Sequence, residues 1–143
     1  PDKVSALTAA QAVTAALPWG RLGMTVCYDL RFPQLYRALA KEGGADFLSV
    51  PSAFTRPTGE AHWHVLLRAR AIENGCYVFA PAQCGDHENG RKTYGHSLII
   101  NPWGDILADG GEEPGFITAE IDPAEVSKAR TTLPSLTHDR AFT

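Results

Sequence analysis

Apolar and polar positions along this chain alternate, cluster and break in a pattern that predicts strands interleaved with helices. The Ala/Val/Leu run over 12–17 reads as a strand, Pro18-Trp19-Gly20 as a turn, and 21–27 as a second strand. The same punctuation returns as Leu98-Ile99-Ile100, Pro102-Trp103-Gly104 and Ile106-Leu107-Ala108. Two hairpins are therefore expected, each with its Trp packed over its turn. Pro33 opens a helix reaching Lys41, at a first-turn position where the missing N–H does no harm. Leu35, Ala38 and Leu39 form its inward stripe, and Gly43-Gly44 end it.

Phe47-Leu48-Ser49-Val50, closed by Pro51, is a short strand. A strand–helix–strand unit of this length implies a parallel, right-handed crossover. Strand carboxyl ends gather on one edge, so Ser52 to Thr58 should lie near the end of the 21–27 strand. A second helix is expected over 59–74 with Val65, Leu66, Ala69, Ile72 and Cys76 on its inner face, and Arg70 paired with Glu73 on its flank. Tyr77-Val78-Phe79-Ala80 is the next strand, 84–93 a polar, mobile loop, and 115–121 a last strand. Asp122 then caps a short helix with Pro123 at its first position. The pattern predicts a single α/β domain over 1–143 with a mixed sheet.

Composition narrows this picture. A length of 143 residues suits one domain with a real core. A net charge of −3, without a basic run, gives no reason to expect nucleic acid. No apolar stretch approaches the ~20 residues of a membrane helix, so no membrane partner is expected. Pro1-Asp2-Lys3 lacks the basic start of a signal peptide. Three cysteines without metal-type spacing fit a reducing compartment, and a cytoplasmic protein is expected.

Candidate chemistry centres on Cys27, at the junction between the 21–27 strand and the Pro33 helix. A helix N-terminus and Arg31 both favour the thiolate there. Position alone leaves two readings open, a nucleophile or an inert cysteine at a strand end. For a nucleophile, the Tyr28 N–H is the natural oxyanion donor. Any of five histidines offers itself as base: His62, His64, His87, His96 or His138. His62-x-His64 on a helix points its rings to nearly opposite sides, a poor chelate, and no metal is expected.

Several blocks carry a resemblance. Cys27-Tyr28-Asp29-Leu30-Arg31-Phe32-Pro33, Pro51-Ser52-Ala53-Phe54, Thr58-Gly59-Glu60-Ala61-His62-Trp63, Leu66-Leu67-Arg68-Ala69-Arg70-Ala71-Ile72-Glu73, Ala82-Gln83-Cys84-Gly85 and Tyr94-Gly95-His96-Ser97 occur here in one order. That order resembles the carbon–nitrogen hydrolases of the nitrilase superfamily, and most nearly the Nit subfamily of deaminated-glutathione amidases. The resemblance implies the C-terminal half of a four-layer α-β-β-α sandwich that forms homo-oligomers. It also implies cofactor-free hydrolysis of a small-molecule ω-amide through a Cys27 thioester.

In that subfamily an arginine matching Arg31 and positions matching Phe54 and Thr58 line the substrate pocket, and Asp29 orients Arg31 or a turn amide. The family's general-base Glu and intermediate-stabilising Lys precede the cysteine block. Here the 26 residues before Cys27 contain no glutamate and a single lysine, Lys3, whose context does not match. His64 stands where relatives carry an acidic residue. Two other readings stay open: a non-catalytic assembly module, and a Cys–His hydrolase using His96 or His62.

Overall fold

A six-stranded mixed sheet forms the centre of the computed structural model, which describes residues 11–143. The readings over 1–10, Lys3 among them, lie outside the described residues. Strands β1 (Val13–Leu17), β2 (Gly20–Met24), β3 (Phe47–Ser49) and β4 (Tyr77–Ala80) are followed by a separate hairpin, β5 (Cys84–Asp86) and β6 (Lys92–Tyr94). The sheet is completed by β7 (Leu98–Ile100) and β8 (Ile106–Asp109), in the order β1-β2-β3-β4-β7-β8. β2, β3 and β4 run parallel, β1 and β8 join β2 and β7 antiparallel through hairpins, and β7 pairs antiparallel with β4 across the β5–β6 excursion. Both Pro-Trp-Gly segments do turn between paired strands. Their rings are not tucked over the turns, however, since Trp19 and Trp103 are each 57% exposed.

Alternation along the strands decides which layer each side chain joins. Leu48 and Val78 face helices α1 (Pro33–Lys41) and α3 (His64–Asn74) in the main core, with Leu39, Trp63, Leu67 and Ile100. Their strand neighbours Phe47, Tyr77 and Phe79 face the other way, where α4 (Ala124–Thr132) brings Val126 down on them. Helix α1 falls where the proline places it. Its deepest residues are Tyr36, Leu39 and Ala40, with Leu35 only partly buried.

The sequence expectations need four corrections. β2 ends at Met24, and a 3₁₀ turn over Cys27–Arg31 separates it from α1, so Cys27 does not abut the α-helix directly. The helix expected over 59–74 starts earlier, as α2 (Arg56–Thr58), and passes through a π-helical turn (Gly59–Trp63) into α3. Its buried stripe is Trp63, Leu67, Arg70, Ala71 and Asn74, while Val65 and Ile72 are exposed. Arg70 and Asn74 hide this stripe from a hydrophobicity reading, because polar side chains read as surface until the Arg70 guanidinium and the Asn74 Nδ2 are seen bonded to buried carbonyls. The polar segment after β4 is not a loop but the β5–β6 hairpin, paired from Cys84–Tyr94 to Asp86–Lys92. Finally, 115–121 forms no strand, since alternation without a neighbouring strand to pair with cannot make a ladder. Asp122 does take the Ala124 N–H on its carboxylate (2.9 Å) at the start of α4, as its capping role requires.

Candidate active site

The turn carrying Cys27 is built from local hydrogen bonds. Thr25 continues the β2 pairing beyond the strand end, donating its N–H to the Ser49 carbonyl (3.1 Å), and its hydroxyl meets Tyr36 Oη (2.7 Å). Cys27 N–H donates to the Pro51 carbonyl (2.9 Å), and of the Ser52–Thr58 segment expected near the cysteine, Ser52 and Ala53 line the cleft with it. Cys27 itself has φ +45°, a left-handed conformation that a side chain with Cβ adopts only under constraint. Such a bend turns its Sγ out of the strand direction. Cys27 is neither buried nor fully exposed, and it lines an open cleft of about 660 Å³ with Ser52, Ala53, Gln83, Arg91 and Ser97.

The side chains around the turn divide into supports and open groups. Asp29 is buried, and its Oδ2 accepts the Val26 N–H (2.9 Å) across the turn. Arg70, reaching over from α3, donates from Nε (3.2 Å) and Nη2 (2.7 Å) to the Leu30 carbonyl. Glu73 balances its charge at 3.2 Å. Tyr36, packed under Arg70 at 5.5 Å, has its hydroxyl pKa pushed well up by burial. Among the described residues the Tyr28 amide finds no acceptor, which leaves it available to an oxyanion. The Tyr28 ring is half-exposed, edge-on to Phe32.

Arg31 points its guanidinium at the faces of Phe54 (5.3 Å) and Tyr28 (5.9 Å), with His62 Nδ1 at 3.4 Å, and makes no ion pair with Asp29. Phe54 is buried against Trp63, with ring centroids 4.8 Å apart. Thr58 turns its hydroxyl to Thr55, donating to that residue's carbonyl (3.1 Å). The fold thus groups Arg31, Phe54 and Tyr28, while Thr58 bonds locally to Thr55, and none of the four is among the residues lining the Cys27 cleft. No histidine, lysine or glutamate lines the Cys27 cleft among the described residues.

Sequence reasoning missed Arg91, Gln83 and Ser97 as cleft residues. Arg91 leans in from the β5–β6 hairpin and donates to the Ala53 carbonyl, bringing a cation to the cleft lining. Recognising that 84–93 folds back as a hairpin was the signal that would have found it. His96 and His64 sit apart from the cleft lining, both hydrogen-bonded to Asp109 at 2.9 Å. Partial burial raises the Asp109 pKa, but the bonds from His64, the Gly111 amide and His96 outweigh it and hold the carboxyl below its ordinary value.

Comparison with known proteins matches this arrangement to one family. The sequence profile described as "Carbon-nitrogen hydrolase" covers residues 5–131. The deaminated glutathione amidase of Synechocystis is 58% identical over 120 residues, which is 84% of this chain and 44% of that protein. The human protein of the same name is 52% identical over 123 residues, 86% of this chain and 37% of its own length. Among solved structures, Saccharomyces cerevisiae Nit3, from branch 10 of the nitrilase superfamily, superposes with a TM-score of 0.85 at 37% identity. That match covers 94% of this chain and 49% of Nit3. The Caenorhabditis elegans NitFhit protein gives a TM-score of 0.87 at 47% identity, over 92% of this chain and 32% of that one. The chain spans less than half the length of these relatives. With both its sequence profile and its mixed-sheet fold matched, the chain belongs to the carbon–nitrogen hydrolase family of the nitrilase superfamily.

Proposed function

We propose that this chain carries the nucleophile half of an amidase that cleaves a small ω-amide bearing a carboxylate, of the deaminated-glutathione type. The observation carrying this reading is Cys27 at φ +45° on a braced turn, opening into a cleft beside an unpartnered backbone amide. The Cys27 thiolate attacks the amide carbon, and the developing oxyanion is held by the Tyr28 N–H. Collapse of the tetrahedral intermediate breaks the C–N bond and releases ammonia or an amine that has gained a proton. Water then resolves the thioester to the acid and returns the thiol. Arg31, with its guanidinium unpaired by Asp29, receives the substrate carboxylate in a fork geometry. Phe54 and Tyr28 supply its apolar walls, Thr58 a polar edge, and Asp29 holds the turn.

By family resemblance, proton transfer belongs to a Glu and further oxyanion stabilisation to a Lys. Neither residue type is in the cleft lining described above. Loss of a general base alone forfeits ~10²–10⁴ in rate. Full activity is therefore expected only where the cleft is completed by those groups. The Cys–His alternative is not favoured, since no histidine lines the cleft among the described residues.

Ammonia release from ω-amides with and without a carboxylate, by the protein and by Cys27→Ser, tests the proposal. Release is expected to be faster for the carboxylate-bearing amide and abolished by the substitution. Equal background from both proteins on every amide would instead mark the chain as a non-catalytic assembly module.

A further inference from the structure

Among the described residues, one cluster of three potential metal ligands joins elements far apart in sequence. His64 opens α3, His96 stands just before β7, and Asp109 closes β8. His64 Nε2 lies 2.9 Å from Asp109 Oδ2 and His96 Nδ1 2.9 Å from Asp109 Oδ1. The three ligand atoms all fall within 4.8 Å of one another. We propose that His64, His96 and Asp109 form a binding site for a divalent first-row transition-metal ion of the zinc class, with water completing its coordination.

The donor set argues for that class of ion. Two imidazoles and one carboxylate suit Zn²⁺, Co²⁺ or Ni²⁺, whereas Ca²⁺ and Mg²⁺ take oxygen ligands throughout. A tetrahedral ion with ligands at about 2.0–2.1 Å sets them about 3.4 Å apart, so small side-chain rotations that open the 2.9 Å contacts and draw in atoms up to 4.8 Å apart admit it. His64 and His96 are half-buried and Asp109 is exposed, which leaves one side open for a water ligand.

The surroundings are those of a held site rather than of three mobile surface groups. Tyr94 Oη faces the second nitrogen of His64 at 3.4 Å, and the Tyr94 ring stacks on His96 with centroids 4.3 Å apart. Trp63 Nε1–H fixes the His96 carbonyl at 2.7 Å, and His96 itself has φ +57°. The Gly111 N–H holds Asp109 Oδ1 at 2.9 Å. Partners of this kind orient imidazole and carboxylate ligands in metal sites and contribute to their affinity. Ser97, next to His96, lines the Cys27 cleft, so an ion here would stiffen one cleft wall by tying α3 to the β7–β8 hairpin.

The experiment titrates chelator-treated protein with Zn²⁺ by calorimetry and with Co²⁺ by visible absorption, alongside thermal melts with and without the ion. One ion per chain is expected, with imidazole-type Co²⁺ bands and a melting temperature raised by Zn²⁺. His64→Gln and Asp109→Asn should each weaken binding by more than the roughly 10–100-fold that loss of an outer-shell partner costs, and Tyr94→Phe by less. Cys27→Ser and Cys84→Ser should bind as the unchanged protein does, excluding thiol ligation. Melts of the metal-free variants separate loss of the site from loss of the fold. Absence of saturable one-to-one binding by the unchanged protein, or binding that survives both His64→Gln and Asp109→Asn, would overturn the site. The three side chains would then be a hydrogen-bonded cluster alone.

Discussion

At the scale of single residues, the strained turn at Cys27 depends on the hydrogen bonds of its neighbours. A left-handed φ at a non-glycine residue persists only where its surroundings over-determine it. Three do so here: Pro51 takes the Cys27 amide, Asp29 the Val26 amide, and Arg70 gives two hydrogen bonds to the Leu30 carbonyl. Arg70 is 4% exposed, so replacing it by Met leaves that carbonyl buried without a donor. The expected cost is about 1–3 kcal/mol, read as a lower urea midpoint. Alkylation of Cys27 by iodoacetamide should change rate in the same variant, because the turn loses its brace. An unchanged midpoint and an unchanged alkylation rate together would show that Arg70 does not hold the turn.

At the scale of elements, the contacts that matter join segments distant in the chain. Gly59 lets the π turn lie against β6, since a Cβ there would sit 2.3 Å from Tyr94 atoms. The C-terminal segment is strapped to α1 by charge: Asp139 pairs with Arg37 and Lys41, and Arg37 also donates to the carbonyls of Glu73 and Ser135. Hydrogen bonds from Arg37 and Lys41 lower the Asp139 pKa from 3.8 to about 2. A lowered carboxylate pKa means that the strap is complete above about pH 4 and is lost as pH falls toward 2. Protection of the 135–143 amides, taken as exchange relative to the intrinsic rate at each pH, should therefore fall across that window, and Asp139→Asn should show the same fall already at neutral pH. High salt should weaken the strap too, because the groups are exposed. Protection that stays flat with pH and is unaltered by the substitution would rule it out.

For the whole molecule, the exposed apolar groups point to association. Ile72, Trp103 and Leu133 are each more than 40% exposed, and they border a cavity of about 370 Å³ between α3 and the C-terminal segment. Val65 on the same helix is 68% exposed. Apolar surface gathered in this way marks contact regions. We expect the chain to associate with itself, and Ile72→Lys to shift it toward monomer in light scattering after size exclusion. A monomer at every concentration would remove that expectation.

The sequence by itself determined the α/β class, the crossover from β2 through α1 to β3, both Pro-Trp-Gly hairpins and the family. Period, proline and glycine act over a few residues, and their effects can be read locally. It also placed the start of the segment after β3, Ser52 and Ala53, beside Cys27, because handedness and the shared edge of parallel strands constrain where such a segment can go. The tertiary structure alone decided the inner face of α3, since buried Arg70 and Asn74 look like surface residues until their partners are known. It alone brought Arg91 to the cleft by folding 84–94 into a hairpin, and it denied 115–121 a strand by giving it nothing to pair with. His64 read as half of a poor chelate with His62, two residues away. Only folding set it against His96 and Asp109, because a ligand set is a matter of distances through space that no spacing along the chain encodes.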